Sequence, residues 1–216
     1  MILRYLLIGI VFLTGSASAQ PINTVVQVSH YVLDSFKLGK VQLKSGNISE
    51  QMLNYNSLTQ EMIFENNGKY LALANVAEVD TVFIENRKFI PVGAEFYEVL
   101  VSGNTPLLQQ FKCNVEEPGA ETGYGSSTPA NGIKNARTLL RESSAYELKL
   151  PDNYTISTST SFWIKKDNEY FKISSSGQLE KLFPLKKDSI KSIVKKNNIK
   201  FTKREDMIML LTQLQA

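Results

Sequence analysis

Thr81-Val-Phe-Ile-Glu85, Lys88-Phe-Ile-Pro-Val92, Phe96-Tyr-Glu-Val-Leu-Val101 and Leu107-Leu-Gln-Gln-Phe-Lys112 follow one another with only a few residues between them. Each is too short for a buried helix and rich in β-branched and aromatic side chains, which fits a strand. A parallel pair needs a crossover of a dozen or more residues, and no such length separates these runs, so their spacing favours an antiparallel meander over a parallel sheet. Asn86-Arg87 and Ser102-Gly103-Asn104 read as hairpin connections.

The same texture extends upstream. Val41 and Leu43 alternate with Gln42 and Lys44, a turn is expected at Ser45-Gly46-Asn47, and Leu53 and Tyr55 alternate with Asn54 and Asn56. Glu61 to Glu65 and Tyr70 to Ala74 flank a turn at Asn66-Asn67-Gly68. Downstream, Pro118, Gly119, Gly123, Gly125, Pro129 and Gly132 crowd together, so residues 116–135 are expected to be a long mobile loop. Strand signals return at Tyr146 to Leu150 and Tyr154 to Ser157, then at Ser161 to Lys165 and Glu169 to Ile173 around an Asp167-Asn168 turn, where both residues tolerate left-handed geometry.

The period changes at residues 176–216. Leu179, Leu182 and Phe183 stand at i, i+3 and i+4; Ile190, Ile193 and Val194 repeat the spacing; Met207, Leu210, Leu211 and Leu214 extend it. Three short amphipathic helices follow the sheet. Thr202-Lys-Arg-Glu205 has a capping-box pattern for the last, and Lys195-Lys196-Asn197-Asn198 suits the end of the middle one. The expected class is α+β: an antiparallel β-meander, able to curve into an open barrel or roll, followed by three C-terminal helices. Residues 20–216 form one domain in this reading.

The first 19 residues read differently. Arg4, an apolar run from Tyr5 to Leu13, and Ala17-Ser18-Ala19 before Gln20 make a charged region, a short hydrophobic region and an A-x-A cleavage site, the order of a signal peptide. The expected localisation is therefore exported: periplasmic, outer-envelope associated or secreted. A hydrophobic content of 43% supports a real core, and no later run is apolar enough to predict a transmembrane segment in the mature chain.

Chemistry-bearing residues are sparse. His30 is the single histidine of the chain, which leaves little material for a Ser/His/Asp triad or an imidazole-rich metal site. Cys113 is the single cysteine, so no intramolecular disulfide can form, and it reads as an inert strand residue. There is no G-x-S-x-G elbow, P-loop or C-x-x-C. Gly123-Tyr124-Gly125 has glycines for a phosphate cradle but lies inside a loop rather than between a strand and a helix. Glu61/Glu65 and Glu95/Glu98 are the pairs from which a carboxylate-dependent hydrolase of envelope polymers could be built.

Charge is the one feature that rises above this background. Between Lys181 and Arg204 stand nine basic side chains and one acid, Asp188, leaving +8 on a body of opposite sign. Lys186, Lys187, Lys191, Lys195 and Lys196 are the candidate contacts to an anionic surface, with Lys191 and Lys195 at i, i+4 and away from Ile190 and Ile193. Aromatic side chains interleave poorly with these lysines, so no nucleic-acid partner is expected. The expected partners are anionic lipid, polysaccharide or another envelope protein, no cofactor is expected, and the expected function is a non-enzymatic binding or structural module.

Phe36-Lys-Leu-Gly-Lys-Val-Gln-Leu-Lys-Ser-Gly46, Leu53-Asn-Tyr-Asn56 with Met62-Ile-Phe64, and Leu182 to Lys191 with Lys195-Lys-Asn197 resemble recurring patterns in uncharacterised exported β-rich proteins of Bacteroidetes-type bacteria. The resemblance spans most of residues 20–216. It implies a β-rich exported protein and transfers no catalytic residue.

Overall fold

A computed structural model describes residues 30–116 and 155–215. The signal-peptide region, the glycine-rich loop and the Tyr146 to Leu150 strand signal lie outside the described residues. Ten strands form one sheet: β1 (Lys37–Leu43), β2 (Ile48–Asn56), β3 (Glu61–Asn66), β4 (Lys69–Ala72), β5 (Val79–Ile84), β6 (Arg87–Val92), β7 (Glu95–Val101), β8 (Leu107–Glu116), β9 (Thr155–Lys166) and β10 (Glu169–Ile173). Every pairing is antiparallel. Three helices follow: α1 (Ser176–Leu182), α2 (Lys187–Asn197) and α3 (Arg204–Gln215). The expected meander with C-terminal helices is the observed architecture.

The sheet order is β10-β9-β8-β7-β6-β5-β1-β2-β3-β4, so β1 is a seam, pairing with β2 on one side and β5 on the other. Gly39 sits at that seam, opposite Gln51 and Ile84. A Cβ there would lie 2.5 Å from the Phe83 carbonyl oxygen and 2.9 Å from Leu53 Cδ1, so only glycine lets the strands approach this closely. Gly39→Ala should therefore lower stability by about 1 to 3 kcal/mol through overpacking. Urea denaturation measures it; an unchanged midpoint would mean that β1 shifts without cost.

The sheet curls but does not close. The Cys113 amide of β8 donates to the Ser57 carbonyl just after β2, although the two strands stand far apart in the sheet order. Tyr55 of β2 lies 6.0 Å from the Phe89 ring and 6.3 Å from the Phe111 ring, across the concave face. One apolar cluster fills that concavity, with Val41, Leu53, Met62, Val82, Ile84 and Phe96. A second lies where the helices cover β8, β9 and β10, joining Leu107, Phe162, Ile164 and Ile173 to Leu179, Ile190, Met207, Leu210, Leu211 and Leu214. The amphipathic helices are thus folded onto the sheet, as their unpartnered apolar stripes require.

Several local expectations need correcting. The polar residues Asn54 and Asn56 were expected to face out from a half-buried strand; both are buried. Asn54 replaces a stretch of β ladder: its Oδ1 accepts from the Leu33 amide at 3.1 Å, and its Nδ2 donates to the Leu33 carbonyl at 3.0 Å. Asn56 Oδ1 accepts from the Leu58 and Thr59 amides, fixing the turn that reaches β8. His30, the single histidine, is buried rather than on the surface or half-buried as an ordinary histidine would be, and burial depresses its pKa, keeping the ring neutral. The β5–β6 turn is Glu85-Asn86, one residue early, with Glu85 carrying the positive φ of 54°. The Ser157 and Ser161 signals belong to one 12-residue strand, β9.

Other expectations stand. Asp167 and Asn168 both adopt positive φ, 51° and 63°, between β9 and β10. Asn198 closes α2 in the left-handed region with Lys195 and Lys196 in the last turn, where cations oppose the negative helix pole. The capping box expected at Thr202 to Glu205 is corrected: α3 begins at Arg204, with the Lys203 carbonyl taking the first helical bond from the Met207 amide, and Asp206 rather than Glu205 reaches back, accepting from the Lys200 amide at 2.8 Å.

Candidate functional site

Strand alternation places Phe96 and Glu98 on one face of β7, and Leu100, in the bulge between Val99 and Val101, lines the same cavity, so Glu98 points inward with two apolar neighbours. Its side chain is only 2% exposed. A carboxylate so placed needs compensation, because isolated burial of its charge costs several kcal/mol. Two arginines supply it. Arg87, at the start of β6, lies diagonally across from Glu98 and donates through Nε at 2.9 Å and Nη2 at 2.8 Å. Arg204, the first residue of α3, donates through Nη1 at 2.7 Å and Nη2 at 2.8 Å.

Each Glu98 oxygen therefore accepts from both guanidiniums, in two bidentate forks of the kind that make arginine suited to planar carboxylates. Arg204 Nη1 also donates to Gln109 Oε1, on the β8 residue paired with Glu98. Burial pushes the Glu98 carboxyl up, but the Arg204 and Arg87 forks outweigh it and hold the group below the usual carboxylate range. The Glu98 fork in turn raises the pKa of Arg204. Arg87 is steadied further by the faces of Phe89 and Phe111, at 5.2 and 5.4 Å from its guanidinium carbon.

This cluster forms one wall of an open cavity of about 530 Å³, to which Val32, Asn86, Val99, Leu100 and Phe111 also contribute. The Arg87 and Arg204 side chains remain 19% and 35% exposed. Among the described residues Glu98 is the cavity's one carboxylate, and both of its oxygens are engaged. Neither carboxylate pair singled out from the sequence forms a facing couple. Glu95 and Glu98 are three residues apart on one strand and so project to opposite faces. Glu95 instead accepts from Gln110 Nε2 at 2.6 Å, beside Trp163 and Tyr97. Burial there, with the charge of Glu95 and then Tyr170 adding to it, pushes the Tyr97 phenol up to about 12. Glu61 and Glu65 share a face of β3, but four residues of strand separate them by about 13 Å.

The expected surface lysines lie on the helical layer. Lys187, Lys191 and Lys195 are successive i, i+4 neighbours along one exposed edge of α2, and Lys196 lies a further 100° round. Ile190 is buried and Ile193 and Val194 half-buried on the adjoining stripe of the helix, so the lysine row flanks the apolar face. Lys186 sits in the 3-10 turn Pro184–Lys186, and its Nζ donates to the Leu214 carbonyl near the end of α3. Between Phe183 and these lysines, Leu185 is fully exposed.

Sequence reasoning missed the Arg87, Glu98 and Arg204 cluster and Leu185. A signal for Glu98 was present: it occupies the inward phase of β7 between Phe96 and Leu100, where a lone carboxylate demands a cationic partner. Nothing local could nominate Arg204, whose partner is 106 residues away. Cys113 is, as expected, a buried strand residue, and burial pushes its thiol up, keeping it protonated. Among the described residues no three His, Cys, Asp or Glu side chains are grouped to hold a metal ion. Among them also, no helix is long and apolar enough to cross a membrane. The chain matches no protein-family model, no curated protein and no solved structure.

Proposed function

We propose that this is a non-enzymatic exported envelope protein, a binding module that docks its C-terminal helical face on an anionic lipid surface. The observation that carries the reading is the fully exposed Leu185 set between Lys181, Lys186 and Lys187, with the Lys187, Lys191, Lys195 row beyond it. A leucine with all its surface in water is stabilised by leaving it, by about 1.5 to 3 kcal/mol on full burial. Lysines near an anionic surface add about 1 kcal/mol each. Together these are the two components of interfacial attachment: a short apolar anchor and a basic surround. Glu98, the one carboxylate among the described residues of the cavity, has both oxygens clamped by arginine, which favours binding over carboxylate-based hydrolysis, a reaction that needs one acid and one base or nucleophile.

Co-sedimentation with phosphatidylglycerol vesicles tests the reading. The wild type should pellet with them at low salt and dissociate as screening shortens from about 10 Å at 0.1 M to 3 Å at 1 M. A Lys191→Glu, Lys195→Glu, Lys196→Glu variant and, separately, Leu185→Ser should both pellet less, with circular dichroism confirming that each is folded. Equal binding by wild type and the charge variant, or none by either, would return the lysines to an ordinary solvated face. Binding to an anionic polysaccharide but not to vesicles would replace lipid by polymer as the partner.

A further inference from the structure

We infer that the cavity beside Arg87, Glu98 and Arg204 is a binding site for a small carboxylate, the acid group of a molecule about the size of one sugar or one aromatic ring. The inference is independent of the lipid-docking reading, because the cavity lies between the sheet and the start of α3 rather than on the lysine face.

The first support is a count of charge. Among the described residues, those lining the cavity carry two guanidiniums and one carboxylate, which leaves a surplus positive charge in a concave, partly desolvated site. The second is a count of donors. Each guanidinium has five N–H groups. Arg87 uses two on Glu98, and Arg204 uses three on Glu98 and Gln109. Donors therefore remain on both, while both Glu98 oxygens are already doubly engaged. Glu98 holds two like charges side by side and offsets only one of them, and a second carboxylate would complete the balance.

The third support is rigidity. Arg87 is held by one two-bond fork to Glu98 and by two aromatic faces, and Arg204 by a helix start, Glu98 and Gln109. Such side chains lose little further freedom when a ligand binds, and preorganisation of this kind is what separates a binding site from a patch of surface arginines. The rest of the lining sets the size and character of the ligand. Val32, Val99, Leu100 and Phe111 give apolar walls, Asn86 offers an amide near the opening, and about 530 Å³ is within the range of small-molecule sites. The planar fork favours a carboxylate, and the walls favour a ligand with a body behind it.

Calorimetric titration of the full chain with glucuronate and with benzoate, against glucose and benzamide as neutral counterparts and inorganic phosphate as a bare anion, is the test. At least one acid should bind saturably with a dissociation constant of about millimolar or tighter, and at least tenfold more tightly than its neutral counterpart and than phosphate. Which acid binds distinguishes a sugar acid from an aromatic one. Asn86→Trp, an enlargement at an exposed turn position of the cavity lining that replaces none of the three charged residues, should abolish the binding and leave the thermal transition in place. Absence of saturation with both acids, equal binding of a neutral counterpart or of phosphate, or undiminished binding by a folded Asn86→Trp protein would each overturn the inference.

Discussion

Glu98→Ala is expected to lower the free energy of unfolding by about 3 to 5 kcal/mol, because it leaves Arg87 and Arg204 facing each other with no anion between them. The magnitude comes from stranded charge rather than lost packing. A triple exchange to apolar side chains, Arg87→Met, Glu98→Leu, Arg204→Met, removes all three charges together and should recover most of the loss, since a buried ionic cluster contributes little net stability over apolar residues of similar volume. Chemical denaturation of the wild type and both variants decides it. A triple variant no more stable than the single one would mean that the cluster supplies stability in its own right.

The same cluster predicts a pH dependence. The Glu98 carboxyl titrates lower in the folded chain than in the unfolded one. Its contribution is therefore fully present above the ordinary carboxylate range and disappears as pH falls through the depressed folded value. Wild type should lose stability in that acid window more steeply than the triple variant. Parallel acid limbs would contradict the assignment.

Leu211→Ala should cost about 2 to 5 kcal/mol, as large-to-small changes at fully buried sites do. Leu211 is 1% exposed, in a cluster that joins α3 to β8, β9 and β10 and to the other two helices. The helices are then part of the sheet's own cooperative unit. Deleting residues 176–216 should expose Leu107, Phe162, Ile164 and Ile173 and abolish the sheet's thermal transition. A transition that survives the deletion unchanged would make the helical layer an appendage.

Strand existence and pairing sense were legible because they depend on short-range pattern. Alternation and close spacing left no room for crossovers between Thr81 and Lys112, and the Asp167-Asn168 turn follows from residues that accept positive φ. The helices were legible for the same reason, since Ile190, Ile193 and Val194 declare a 3.6-residue period within one turn. What escaped depends on which distant segment covers a face. Asn54 and Asn56 look solvent-facing until His30 to Ser35 is laid against them, and that docking is set by backbone partners no periodicity encodes. The candidate cavity escaped likewise, because Arg87, Glu98 and Arg204 converge from two strands and a helix. The lysine row was legible as charge; the exposure of Leu185 beside it was not, since only the folded turn shows which apolar residue of the helical segment is left without a partner.

The seam at β1 also bears on how the chain reaches this structure. Pairs such as β1–β2, β2–β3, β5–β6 and β6–β7 are hairpins between neighbours in sequence, whereas β1–β5 must bring together segments with three other strands between them. Closing that loop has an entropy cost before the contact returns anything, so the local hairpins can form quickly while the seam is expected to close late. A contact made after the rate-limiting barrier influences how fast a protein comes apart far more than how fast it assembles. The close approach at Gly39 would then act as a latch on the native state, setting its lifetime rather than its speed of formation.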